Sequence, residues 1–241
     1  MDTRSMSPVG RVVGLWRYPV KSMAGERLTA VDVSWNGFAG DRRWAFVRES
    51  ITHGFPWLTL RQRAQMAHYR PSFVDASQPD KSAAVVETPS GDTFDITDEA
   101  LASELSADGA RLIKQDRGTF DAFPLSLITT QTLANLGEKV GLRLDVRRFR
   151  PNLLIEAEGG ADFPEDEWVG HVLRIGDLRM RVDKRDGRCV VVTIDPETCE
   201  KTPEILQKIV SDRDRCLGVY GSIVEPGQVR EGDSLTLESG I

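Results

Sequence analysis

The chain has 241 residues and a formal net charge of −6, with 40% hydrophobic and 28% charged residues. These values are typical of a globular protein with one large domain or two small ones. An acidic surface repels phosphate backbones, so we expect no nucleic-acid partner. The three cysteines form no Cys-x-x-Cys pair, which argues against a disulfide framework and a four-thiolate zinc site.

The ends and the long-range pattern of the chain suggest its setting. Residues 1–8 contain no apolar stretch of the kind found in secretory signals, and no run of about 20 apolar residues follows. We therefore expect a cytoplasmic protein with reduced cysteines and no membrane contact. Because there are no coiled-coil heptads, we also expect a monomer.

The first half of the chain predicts short strands separated by Gly, Pro, Asp or Ser. Val31, Val33 and Trp35 alternate with polar residues, and the turn signal Asn36-Gly37 follows. Many short strands with turns between them favour a barrel or a sandwich. The predicted strands cover residues 9–18, 28–35, 43–48, 57–60, 68–74, 83–87 and 93–96.

Three helices are predicted, over residues 98–105, 130–140 and 203–210. In the second, apolar residues recur on one face, Thr129 precedes the helix and Gly141 follows at the C′ position. Thr202 and Pro203 suit the N-cap and the first position of the third helix.

Strands resume after the second helix, over residues 142–147, 152–155, 172–175, 178–182, 189–194, 217–224 and 234–237. The chain is therefore predicted to be mainly β (α+β) with a few short helices. We place an N-terminal β-rich region at residues 8–115 and a second domain at residues 116–238.

One cysteine stands out by its surroundings. Cys189 follows Arg188 and precedes a β-branched run that ends at Asp195-Pro196. A neighbouring arginine favours the thiolate, the form that attacks carbon or binds metal. A buried, inert cysteine produces the same pattern, because free cysteine is among the most buried residue types. From these residues alone both interpretations stay open.

Four other segments carry more charge than a strand end needs. Each alone is also compatible with a solvated surface. Together they supply a lysine, a serine, arginines and an asparagine, which suit a phosphorylated heterocyclic ligand. The segments are Tyr18-Pro19-Val20-Lys21-Ser22, Gly40-Asp41-Arg42-Arg43-Trp44, Thr59-Leu60-Arg61-Gln62 and Arg147-Arg148-Phe149-Arg150-Pro151-Asn152.

These motifs, followed by the Cys189 segment, Tyr220-Gly221 and a Pro226-Gly227 to Gly232-Asp233 run, resemble the MOSC domain family. The resemblance spans residues 9–237. More narrowly, it is to members with an N-terminal β-barrel region, such as amidoxime-reducing components and the C-terminal part of molybdenum cofactor sulfurases. It implies a MOSC-type β-barrel, a smaller β-rich N-terminal region, and a molybdenum cofactor (molybdopterin) between them.

The resemblance also implies roles for single residues. Cys189 takes the position of the molybdenum ligand and catalytic residue, and soft thiolate suits such a metal. Three positions depart from the family pattern: Arg43, Phe123 and Gly187 stand where relatives carry an aromatic residue, a serine and a hydroxyl residue. The implied cofactor-binding residues are Lys21, Ser22, Arg42, Arg150, Asn152, Gly187, Arg188 and Tyr220.

The implied function is reduction of small N-hydroxylated substrates, with N–O or S–O bonds, by a molybdenum-dependent oxidoreductase. The chain has too few cysteines for an iron–sulfur cluster and no dinucleotide fingerprint, so electrons must come from a separate ferredoxin-type or flavoprotein-type donor. No pyridoxal phosphate domain is present in the sequence. Two alternatives stay open: a carrier of cofactor or sulfur that uses Cys189, and a barrel protein that has lost cofactor binding.

Overall fold

A computed structural model describes residues 7–51 and 53–238. The α-helices are α1 (Glu99–Leu105), α2 (Thr130–Val140) and α3 (Pro203–Arg213). The strands are β1 (Pro8–Arg17), β2 (Glu26–Leu28), β3 (Ala30–Ser34), β4 (Gly37–Phe38), β5 (Trp44–Arg48), β6 (Arg70–Phe73), β7 (Ala84–Glu87), β8 (Thr93–Asp95), β9 (Ala110–Lys114), β10 (Leu125–Thr129), β11 (Leu153–Ala157), β12 (Val172–Ile175), β13 (Leu178–Gly187), β14 (Cys216–Glu225), β15 (Gly227–Arg230) and β16 (Ser234–Glu238).

The largest sheet closes on itself as a barrel. Its strands follow the order β11-β10-β14-β13-β12-β16-β1, and β1 pairs back to β11, while β2 extends from β1. The β10–β11 pair is parallel and the other pairs are antiparallel. Alternate side chains such as Leu15, Leu127 and Leu235 fill the interior, because successive residues of a strand face opposite sides. The predicted mainly β fold with a barrel is confirmed.

Of the remaining strands, β15, β3 and β4 form a three-stranded sheet that packs Val31, Phe38 and Val229 into the barrel core. The others form a smaller region beside the barrel. β5 pairs with β9, and β6, β7 and β8 form a three-stranded sheet. With α1 they enclose a second core that includes Phe46, Met66 and Leu101. β1 is part of the barrel, although it lies within residues 8–115, the range predicted for the N-terminal region. The division at residue 115 itself stays a prediction.

The helices begin and end where the sequence signals place them, with one extension. The Thr129 hydroxyl accepts a hydrogen bond from the Thr132 amide at the start of α2, and Gly141 ends it at a φ of 69°. Asp98 caps α1 in the same way. α3 runs to Arg213, past the predicted end, and its Thr202 side chain makes no capping bond. No helix in residues 7–51 and 53–238 is long and apolar enough to cross a membrane.

Three predicted strands are wrong. Residues 57–60 form a loop with a single isolated bridge, between Trp57 and Val47. Val190–Thr193 form a 3₁₀ helix, because Val192 and Ile194 pack into two different cores instead of alternating across a sheet. Residues 142–147 form no strand; Asp145 accepts a hydrogen bond from the Arg147 amide and starts a 3₁₀ turn there. Cys189 therefore lies at the start of a tight turn that follows the end of β13.

Candidate cofactor site

A cleft lies where the barrel meets the smaller region. It encloses about 740 Å³ of atom-free space, including its open mouth. Residues after β1, in the turn after β13, on β14 and in a loop of the smaller region form its walls. The cleft brings together every predicted site residue except Asn152, namely Lys21, Ser22, Arg42, Arg150, Gly187, Arg188, Cys189 and Tyr220.

Asn152 lies one layer behind the cleft. Its Nδ2 donates hydrogen bonds to the Trp16 carbonyl (3.2 Å) and to Asp41 Oδ2 (3.1 Å). Its Oδ1 accepts one from the Ser126 amide (3.2 Å). Three strand ends are thus tied together by one buried amide, so Asn152 supports the cleft without lining it.

Asp41 fixes Arg42 in the same layer. This carboxylate is fully buried and accepts a hydrogen bond from the Tyr18 amide (2.7 Å) and a bond from the Arg42 guanidinium. The Arg42 amide donates in turn to the Tyr18 carbonyl (2.7 Å). Burial lowers the pKa of Arg42, but the charge and hydrogen bond of Asp41 together with Tyr18 and Tyr220 outweigh this, so the pKa is raised.

Three of the cleft residues have strained backbones. Ser22, Arg42 and Arg150 have φ values of 69°, 51° and 52°, in the left-handed region. Each non-glycine residue in this region costs on the order of 1–2 kcal/mol. They are three of the six non-glycine residues with positive φ in the described ranges, and all three line this cleft.

Arg150 is a cation without a carboxylate partner. Its Nη1 donates to the Met23 carbonyl (2.8 Å), but no group in the described part of the chain bonds its buried Nη2. Its guanidinium lies 4.2 Å from the Tyr18 ring centroid, and that of Arg42 lies 4.7 Å from the same ring. Burial lowers the pKa of Arg150 to about 10. A buried guanidinium in this state needs an anion.

The charges of the cleft are unbalanced. Its acidic lining residues are Asp121, which pairs with Lys21 (2.6 Å), and Asp186. Against these stand the cations Lys21, Arg42, Arg61, Arg148, Arg150 and Arg188. An acidic protein therefore contains a locally cationic cleft, which favours an anionic ligand.

Cys189 faces this cleft from the turn after β13. Arg188 beside it is buried and does not point to the thiol: its Nε and Nη1 donate to the Leu217 carbonyl (2.7 Å) and the Phe149 carbonyl (2.8 Å). Its Nη2 lies 2.9 Å from Asp186 Oδ2. Arg188 thus fixes the turn and neutralises Asp186.

Asp186 and Tyr220 form a second polar pair on the same wall. Burial raises the pKa of both groups, and the Tyr220 hydroxyl bonds to the Asp186 carboxyl. The Ser126 hydroxyl lies 3.3 Å from Asp186 Oδ2. Phe123, one of the departures from the family pattern, stacks on Tyr220 with ring centroids 6.1 Å apart.

Sequence reasoning missed several residues of the cleft. Arg61 belonged to a motif that was singled out, but its role was not assigned. Phe55 and Asp121 carried no local signal, and Asp186 was noticed only as a neighbour of Cys189. Gly187 is exposed, and a side chain added there would enter open space, so the backbone is accessible at this point.

The donor set fits a molybdenum cofactor. The unpartnered Arg150 nitrogen and the surrounding cations suit its phosphate. No group of three or more His, Cys, Asp or Glu residues in the described ranges lies close enough together to hold a metal ion. A metal at Cys189 must then bring other ligands with it, as one held by an organic cofactor does.

Comparisons with known proteins agree with this geometry. The family sequence model of the MOSC domain matches residues 114–236, and the family sequence model of the MOSC N-terminal beta barrel domain matches residues 9–122. The chain belongs to the MOSC domain family. The two models together account for the barrel, the smaller region and the cleft between them.

Several curated MOSC proteins are similar along most of this chain. Mitochondrial amidoxime reducing component 2 of Bos taurus is 24% identical, covering 95% of this chain and 84% of the relative. Molybdenum cofactor sulfurase of Caenorhabditis elegans is 24% identical, covering all of this chain but 36% of the relative. The YuaD protein from Bacillus subtilis shares the fold at a TM-score of 0.50 and 13% identity, covering 97% of both chains.

Proposed function

We propose that this chain binds a molybdenum cofactor in the cleft and reduces N-hydroxylated substrates, with N–O or S–O bonds, using electrons from a separate protein. The observation that carries the proposal is that a partly exposed thiol, Cys189, lines the same cleft as Arg150, a cation that has no carboxylate partner in the described residues. The names of the amidoxime-reducing relatives support the reaction class.

Each group of the cleft has a part in this proposal. Arg42 and Arg150 would bind the phosphate, Lys21 and Ser22 would bind other polar groups of the cofactor, and the Cys189 thiolate would ligate the metal. When bound, the cofactor supplies two-electron oxygen-atom abstraction. Reduction of an N–OH group to N–H also consumes two protons and releases one water. Asp186 lines the cleft and burial raises the pKa of its carboxyl although Arg188 lies beside it, so this group would hold one of the protons.

The proposal includes the setting of the protein. We expect it in the cytoplasm as a monomer, with a ferredoxin-type or flavoprotein-type donor delivering electrons. The word mitochondrial in the relatives' names describes the location of those proteins and not of this chain.

The test is metal content and activity of protein purified from a molybdenum-replete host. We expect about one molybdenum per chain and reduction of benzamidoxime to benzamidine with dithionite-reduced viologen as electron donor. A protein that carries the metal but reduces no N–O or S–O substrate contradicts the reductase function.

A second function rests on the sulfurase relatives, whose matched segment covers this entire chain. In this alternative Cys189 carries a persulfide sulfur, or the cleft carries the cofactor, to another enzyme. Mass spectrometry of Cys189 and a transfer assay to a cofactor-free molybdoenzyme separate the two functions. Absence of any sulfur or cofactor transfer contradicts the carrier function.

A further inference from the structure

A loop of the smaller region forms the rim of the cleft near Cys189. Its first part runs beside β5, where the Arg48 amide donates to the Pro56 carbonyl (2.9 Å) and the Leu58 amide donates to the Phe46 carbonyl (2.8 Å). These bonds hold the loop as an extension of the sheet. The part that follows, from Thr59 to Gln62, has no role in binding the cofactor in the function proposed above.

The Thr59-Leu60-Arg61-Gln62 motif is a braced turn. The Gln62 backbone N–H donates to the Thr59 carbonyl (2.9 Å). The side-chain oxygen Gln62 Oε1 accepts from the Thr59 backbone N–H (3.0 Å) and hydroxyl (2.8 Å). Leu60 is buried in the core of the smaller region. With its neighbours fixed in this way, Arg61 is left exposed over the cleft.

Arg61 differs from the other cations of the cleft. Within residues 7–51 and 53–238 its guanidinium forms no ion pair and no hydrogen bond to a carbonyl, whereas Lys21, Arg42, Arg148 and Arg188 each pair with a carboxylate. Arg150 also lacks a carboxylate partner but donates to the Met23 carbonyl. Arg61 lines the cleft together with Cys189, and its interaction with that thiol raises the pKa of Arg61.

Phe55 provides an apolar surface next to this charge. Its ring centroid is 5.1 Å from the Arg61 guanidinium, and 40% of the residue is exposed although it is large and hydrophobic. Both residues line the cleft with Cys189. A ligand that enters the cleft therefore meets an aromatic face and an unpaired guanidinium side by side.

We propose that Arg61 and Phe55 form a substrate subsite that selects planar, negatively charged N-hydroxylated substrates, such as aryl amidoximes that carry a carboxylate. This deepens the function proposed above and rests on it. The cofactor's anionic groups neutralise the deeper cations, which leaves Arg61 as the charge available to a substrate. Its planar fork matches a carboxylate, and Phe55 stacks on the aryl ring.

The kinetic test compares 4-carboxybenzamidoxime with unsubstituted benzamidoxime on the cofactor-loaded protein. We expect wild-type kcat/KM to be about tenfold higher for the carboxylate, and Arg61→Gln to bring the ratio near one. The ratio cancels any difference in cofactor loading between variants. Arg70→Gln, a change of an exposed arginine that does not line the cleft, should leave the ratio unchanged.

A binding measurement tests the subsite without turnover. Calorimetric titration with the non-reducible 4-carbamoylbenzoate should give a Kd about tenfold weaker for Arg61→Gln than for wild type. If this holds while neither amidoxime is reduced, the subsite stands and the reductase function fails. Equal affinity for both proteins, or a kcat/KM ratio that Arg61→Gln does not change, overturns the subsite.

Discussion

The cleft has a floor, formed by Arg42 and Arg150, and a rim, formed by Arg61 and Phe55. Both are cationic, but their arginines differ in exposure and in how firmly they are held. The floor cations Arg42 and Arg150 are half-buried, joined by a hydrogen bond from Arg42 Nη2 to the Arg150 carbonyl (3.0 Å), and strained in their backbones. At the rim, Arg61 is exposed and rests on a flat aromatic ring. A preorganised floor suits a ligand that stays bound, and an accessible rim suits one that comes and goes.

We therefore expect the floor residues to lower the stability of the folded, cofactor-free protein. The largest effect is expected for Arg150→Gln, because burial lowers the pKa of Arg150 to about 10, well below that of free arginine, which corresponds to as much as about 3 kcal/mol of destabilisation. Cofactor-free Arg150→Gln protein should therefore unfold at higher urea than wild type while retaining less cofactor after loading. A destabilised Arg150→Gln protein contradicts this explanation.

Arg148→Gln is the matched control, since Arg148 lines the same cleft but pairs with Asp195 (2.5 Å) and bonds the Thr193 carbonyl (2.9 Å). Its loss should destabilise the protein by about 2 kcal/mol, because Asp195 is left without its partner.

The cost of Arg150 should also depend on pH with a defined sign. A base whose pKa falls on folding destabilises the folded protein wherever it is charged, which here means below about pH 10. The stability gained by Arg150→Gln should be constant from pH 6 to 9 and shrink as the pH rises from about 10 towards 12.5. Urea unfolding of both proteins at pH 7, 9 and 11 measures it. A gain that grows at high pH would contradict the assignment.

An effect of similar size but opposite sign is expected at the ring that supports both floor arginines. Tyr18→Leu should destabilise the protein by about 3 kcal/mol, because it removes two cation–π contacts and leaves a cavity. Tyr18→Phe should change stability by less than about 1 kcal/mol, since the buried Tyr18 hydroxyl has no partner in the described residues.

Tyr69→Phe provides the contrast for Tyr18, because the Tyr69 hydroxyl bonds Glu104 (2.6 Å) and Arg63 (3.0 Å) and its loss should cost about 1 kcal/mol. Thermal unfolding of the three variants decides the matter. Equal losses for Tyr18→Phe and Tyr18→Leu would show that the ring does not hold the arginines.

The smallest effect is expected from relief of backbone strain. Ser22 is buried, has a φ of 69° and makes no side-chain hydrogen bond in the described residues. Ser22→Gly should therefore stabilise cofactor-free protein by up to about 1 kcal/mol. Ser72→Gly, in β6, should destabilise it instead. Loss of stability in both variants would show that the floor is not strained at Ser22.

The sequence predicted the floor better than the rim, for a physical reason. Short motifs at strand ends, such as Lys21-Ser22 and Asp41-Arg42, come together because the strands that precede or follow them are neighbours in the fold. Phe55 carries no such signal, because only the path of its loop in three dimensions places it at the cleft mouth. Asn152 has a strong motif signal, yet its position in the layer behind the cleft depends on packing.

Local patterns also failed where packing overrode them. The β-branched run after Cys189 favours a strand by propensity, but Val192 and Ile194 each anchor in a different core and force a 3₁₀ turn. The Arg43 departure is explained by the fold: its buried guanidinium pairs with Asp80 (2.8 Å) and takes no part in the cleft.

The central claim is that the Cys189 thiolate and the cationic floor together hold molybdenum. Its most direct test is the molybdenum content of wild type, Cys189→Ala and Cys199→Ala, all purified from one molybdenum-replete host. Cys199 is also a half-buried free thiol, but it does not line the cleft. We expect about one metal per chain in wild type and in Cys199→Ala, and less than about a tenth of that in Cys189→Ala. Equal molybdenum in all three proteins would contradict the claim.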